Sequence, residues 1–104
     1  MARFDVYRNP RRETARDTPY LLDVQSDFLE DLATRVIVPL RSGKLISQQV
    51  SRLNPILKVD GVSVVMDTPQ IVGYPRLPLK RPVANLRANE FEIQNALDFL
   101  FAGI

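Results

Sequence analysis

The chain has 104 residues, of which 45% are hydrophobic and 25% charged, the makeup of one ordinary globular domain rather than a disordered, fibrous or membrane chain. It contains no histidine, cysteine or tryptophan. That excludes disulfides, thiolate nucleophiles, Cys or His zinc sites and Ser-His-Asp hydrolysis, and a net charge of +2 is too small to argue for nucleic acid.

Residues 3–7 (RFDVY) alternate, with Phe4 and Val6 facing one way, as a half-buried strand does. Residues 8–18 are polar, carry Pro10 and show no period, so they read as a mobile connection. Tyr20 to Gln25 forms the next expected strand, preceded by Pro19. A third strand spans 33–40 on the β-branched run Val36, Ile37, Val38, with Pro39 at its edge or exit. Ser42-Gly43 signals a turn. Ile56 to Val59 and Val62 to Met66 flank Asp60-Gly61, a strong two-residue hairpin signal.

From Pro55 to Pro82 five prolines forbid a long helix and leave room for short strands, at Ile71-Val72 and Leu77 to Leu79. After Asn85 the period becomes helical. Leu86, Ile93, Leu97, Leu100 and Ile104 fall on one stripe, Asn85 is the candidate N-cap and Gly103 the left-handed C-cap. Phe91 and Phe99 fall off that stripe and Phe101 at its flank, which points to a homodimer or partner surface on the helix. The sum is one domain over residues 1–104. It is α+β: a small bent or barrel-like antiparallel sheet with a C-terminal helix packed on it.

Charge alternates along the chain: residues 1–20 are net basic, 21–40 net acidic and 41–60 net basic, the pattern of a mixed-sign solvated surface. Asp23, Asp27, Glu30 and Asp31 fit no EF-hand spacing and read as a solvated turn at a strand end, with no metal. None of the four glycines builds a phosphate loop, and the serines have no histidine to activate them. An Arg with an acidic partner can cleave RNA in small barrel toxins, but nothing here singles out such a pair. The residues by themselves describe a binding domain with no visible active site and no cofactor.

Taken in order, RFDVY, LLDVQSDFLEDLATRVIVPL, the PILKVDG hairpin and the terminal EIQNALDFLFAGI resemble the CcdB family of bacterial toxins over nearly the whole chain. The resemblance implies a small SH3-like antiparallel β-barrel with an extra short sheet and one C-terminal helix, shared with the MazF-like toxins. It implies a non-enzymatic, cytoplasmic homodimer that binds the A subunit of DNA gyrase and traps the cleaved DNA complex. It also implies a CcdA-like antitoxin that wraps a disordered segment around the toxin, with operon repression through the antitoxin's own DNA-binding domain. Neither direct nucleic-acid binding nor a membrane is then expected.

Carried over position by position, the gyrase contacts fall on Asp98, Phe101, Ala102, Gly103 and Ile104, with Phe28 and Leu29 beside them. The best-known member has Trp before the final Gly-Ile, where this chain has Ala102, and Asn where it has Asp98. A Trp of that kind contributes roughly 2–4 kcal/mol at a contact, so Phe101 is the candidate substitute ring. Arg8, Arg11, Arg12 and Arg16 suit an acidic antitoxin segment. Two other readings compete. One is a MazF-like endoribonuclease; the other is a non-poisoning homologue acting only in antitoxin binding and operon autoregulation.

Overall fold

The computed structural model describes residues 1–43 and 50–104. Its strands are β1 (Asp5–Arg8), β2 (Tyr20–Asp23), β3 (Thr34–Ser42), β4 (Ile56–Val59), β5 (Val62–Met66), β6 (Val72–Pro75) and β7 (Ala84–Asn85). The helices are a single turn, α1 (Arg12–Ala15), and the 13-residue α2 (Glu90–Ala102). The strands form one antiparallel sheet in the order β4-β5-β3-β2-β1-β7, with β6 also on β3. It curls into a nearly closed SH3-like barrel with α2 packed against it, the architecture the sequence implies.

The arrangement turns on β3. One edge of this strand pairs with β2 through Ile37 to Leu40. The other is divided, with Leu40 to Ser42 on β5 and Thr34 to Ile37 on β6. The extra short sheet is therefore an extension of the barrel wall along β3 and not a separate layer.

Alternation sorts side chains onto two faces. Phe4, Val6, Leu22, Val24, Val38, Leu40, Leu57, Val59, Val64 and Met66 fill the barrel, and Leu86, Ile93, Ala96 and Leu97 close it. The intervening residues Tyr7, Leu21 and Ile37 join Leu79 and Tyr74 in a smaller cluster on the other face. Both faces of β3 are thus covered, which explains its uninterrupted β-branched run. The β4–β5 hairpin forms as expected: Val59 faces Val62, and Asp60 and Gly61 have φ of +50° and +80°, as a type I′ turn requires.

Several local expectations are corrected. The 8–18 connection contains α1 and is pinned by hydrogen bonds from Asn9 N–H to Pro19 O (3.0 Å) and Thr18 N–H to Thr14 O (2.9 Å). Strand β2 stops at Asp23, not Gln25, because the Gln25 side chain takes over the pairing and its Oε1 accepts from Val36 N–H at 2.9 Å. Pro39 lies inside β3, where its carbonyl accepts from Asp67 N–H at 2.9 Å. Leu77 to Leu79 is a turn closed by Leu79 N–H on Arg76 O, and the strand beside it is β6. Asn85 caps only locally, its Oδ1 accepting from Arg87 N–H at 2.9 Å, and the helix proper starts at Glu90 because Asn85 first pairs with Asp5.

The largest correction concerns Asp23, which is not in a solvated turn but fully buried. Its carboxylate accepts two hydrogen bonds from the equally buried Arg35, Nε to Oδ2 at 2.7 Å and Nη2 to Oδ1 at 3.0 Å. Burial pushes the Asp23 carboxyl above the usual range, against the downward pull of Arg35 and of the Gln25 N–H. Removing one member strands the other charge in the interior. Asp23→Ala is expected to lower unfolding free energy by about 3–5 kcal/mol in urea denaturation, with the double variant Asp23→Leu/Arg35→Met losing less than the two single changes combined.

Tyr7 generates a second prediction. Its phenol is buried and donates to Asp5 Oδ2 at 3.3 Å. Burial first, and then the neighbouring carboxylates of Asp5 and Asp23, push its pKa above the ordinary value of 10.0. The unfolded chain ionises this group first, so its contribution is complete below pH 10.0 and is lost as pH rises. Thermal unfolding between about pH 9 and 11 should show that decline, and Tyr7→Phe should flatten it.

Candidate partner-binding site

Helix α2 turns Ile93, Ala96 and Leu97 into the barrel. The opposite stripe carries Phe91, Asn95, Asp98 and Ala102, with Gln94 and Phe101 on its flanks. Phe91 is 82% exposed and Phe101 71%, while Phe99 is half-buried beneath a guanidinium described below. Gly103 ends the helix with φ +73°, its N–H bonded to Phe99 O at 3.1 Å, as the sequence anticipates. That left-handed turn takes Ile104 off the buried stripe, where it is 78% exposed; Leu100, in the helix's last turns, is half-buried.

The second part of the site is a 3-10 turn over Asp27–Leu29. Ser26 Oγ accepts from Phe28 N–H at 3.2 Å and starts the turn. Gln25 Nε2 donates to Leu29 O at 2.7 Å and holds its far end. Phe28, pointing away from the barrel, is 98% exposed and Leu29 49%. Beyond Asp23, the acidic residues do not gather into a metal cluster among the described residues. Asp27 instead accepts from Arg3 N–H at 2.8 Å and faces Arg87 at 3.8 Å.

Arg3 joins the two parts. Its Nε donates to Val24 O at 3.1 Å and its Nη2 to Gln94 Oε1 at 2.6 Å, and Gln94 Nε2 donates in turn to Asp98 Oδ1 at 2.9 Å. The turn carrying Phe28 and Leu29 is thereby connected to the outward face that leads to Asp98, Phe101, Ala102, Gly103 and Ile104. All of these predicted contact residues are exposed. Sequence reasoning missed Arg3 and also Arg52, whose Nη2 donates to Asn95 Oδ1 at 3.0 Å and to the main-chain oxygen of Ile104. The Arg52 guanidinium lies 4.8 Å from the centre of the Phe99 ring. Separations of 91 residues for Arg3–Gln94 and 43 for Arg52–Asn95 leave no local pattern by which to find either.

Arg8, Arg11, Arg12 and Arg16 are all exposed, but they do not share one groove. Arg8 lines a cleft with Pro10, Pro78, Lys80, Arg81 and Val83, whereas Arg11 lines another with Asn9, Thr14, Arg41 and Tyr74. Arg11 also faces Glu13 at 3.1 Å, an exposed pair of small energetic weight. No helix among the described residues is long and apolar enough to cross a membrane.

A barrel closed by a helix, with exposed apolar groups at that helix's end and on a turn tied to it, defines a small barrel-and-helix domain that presents an apolar tip. The family model described as CcdB protein matches residues 3–103. The chain belongs to the CcdB family and is thereby a toxin of a toxin–antitoxin system, a class whose members have antitoxin partners.

Proposed function

We propose that this toxin binds the A subunit of DNA gyrase and holds the enzyme on cleaved DNA, acting by contact and with no catalysis of its own. The observation that carries this reading is the apolar tip: Phe101, Ile104 and Phe28 are 71%, 78% and 98% exposed. Rings and branched chains left in water at this density mark a surface that a partner covers. Phe101 supplies an aromatic contact next to Ala102, where the best-known family member has Trp. Asp98 adds a charge that hydrogen-bonds Gln94 and so stays oriented at the rim of the tip.

The same helix face, with Phe91 82% exposed, suits a homodimer contact. A CcdA-like antitoxin neutralises the toxin in the cytoplasm, its acidic disordered segment following Arg8, Arg11, Arg12 and Arg16. Operator DNA is then read by the antitoxin and not by this chain. An endoribonuclease reading draws no support from the Asp23–Arg35 pair, since both side chains are sealed from solvent and out of reach of RNA.

Purified gyrase, supercoiled DNA and the full chain provide the test. Linear, protein-linked DNA should accumulate with the wild-type chain, and removal of Gly103 and Ile104 should abolish it while circular dichroism and dimer mass are retained. Phe101→Ala should raise the half-maximal concentration at least tenfold, about 1.4 kcal/mol. Cleaved RNA in place of cleaved DNA, or a fully active truncated chain, would overturn the proposal. Charge reversal of Arg8 and Arg11 together should weaken binding of an acidic antitoxin segment, more so at low salt. Unchanged affinity at every salt concentration would remove these arginines from that contact.

A further inference from the structure

We infer that Arg52 is a positioning residue for the tip, holding Gly103 and Ile104 in one orientation before any partner arrives. This inference rests on the gyrase reading for its functional consequence, but the positioning itself can be measured without gyrase. The helical ladder reaches only to Gly103, whose N–H bonds Phe99 O at 3.1 Å. Past this left-handed residue nothing in the helix fixes the direction of Ile104.

Arg52 supplies what is missing. It lies in the stretch before β4 and reaches across to α2, where one guanidinium makes three contacts: Nη2 to Asn95 Oδ1 at 3.0 Å, Nη2 to the Ile104 main-chain oxygen, and its face over Phe99 at 4.8 Å. Asn95 and Phe99 are one turn apart on the helix, so a planar group spanning both and gripping the residue beyond the cap fixes a direction as well as a distance. Arg52 is itself exposed and belongs to neither buried cluster. Its contacts go to the second half of α2 and the tip, so its removal should act there and leave the barrel intact. A tip ordered in advance binds with less conformational entropy to lose. Lysine cannot replace it, because an ammonium is a point charge with neither the fork nor the flat face.

The experiment compares Arg52→Ala and Arg52→Lys with the wild-type full chain by three readouts. Backbone 15N relaxation at Gly103 and Ile104 should show fast motion in Arg52→Ala that is absent from the wild type. The half-maximal concentration for gyrase-linked DNA cleavage should rise about tenfold, while the unfolding midpoint moves by less than about 2 °C. Arg52→Lys should recover little of either effect. Equal tip rigidity in Arg52→Ala and wild type, or equal potency despite a mobile tip, would overturn the inference. A wild-type chain that traps no cleaved DNA would defeat the gyrase reading alone, and the relaxation comparison would still decide whether Arg52 holds the tip.

Discussion

The buried pair of Asp23 and Arg35 sets the path of the chain on which the site depends. Two hydrogen bonds at 2.7 and 3.0 Å lock the end of β2 against the start of β3. The Asp23 carboxylate also accepts from Gln25 N–H at 2.9 Å, which turns the chain out of the strand. Gln25 then spans the gap, accepting from Val36 N–H and donating to Leu29 O. Desolvation of two charges offsets much of the attraction between them, so the consequence is geometric more than energetic. The 3-10 turn leaves the sheet at a fixed point, and Phe28 is carried outward on it.

Phe4 extends this constraint to the helix. Its φ of +74° is a left-handed conformation that bulky residues rarely adopt, with a strain of order 1–3 kcal/mol. What holds it is visible on both sides of the residue. Phe4 N–H donates to Asp23 O at 2.7 Å, and Leu86 N–H donates to Phe4 O at 2.9 Å. The ring is fully buried, with Arg3 and Arg87 guanidinium groups 4.6 and 5.5 Å from its centre. Burial of an aromatic ring at this scale outweighs the strain. The backbone twist turns Arg3 to where it reaches both Asp27 and Gln94.

What the sequence made legible was local. Asp60-Gly61 specifies its own turn, Val36 to Val38 specify a strand covered on both faces, and Gly103 specifies a left-handed end. Each depends on neighbours a few residues away. Asp23 misled because it begins an acid-rich stretch, and its partner Arg35 lies across a strand pair that composition does not reveal. Leu77 to Leu79 misled for a related reason: three residues in an apolar pattern look like a strand, but Leu79 alone is buried and the chain turns around it. The tip residues came from family resemblance, since the helical period by itself put Ile104 on the buried stripe, whereas Arg3 and Arg52 became visible only once the helix was docked on the barrel.

The divided edge of β3 makes this strand the one that β2, β5 and β6 all share. Releasing β5 or β6 exposes the same strand that β2 pairs with, which couples the two parts of the sheet through β3. The tip on α2 and the arginine-bearing connection between β1 and β2 are therefore supported by the same folding equilibrium. A partner bound at either place stabilises the whole chain by mass action, and two partners bound together would protect it from proteolysis more than either does alone.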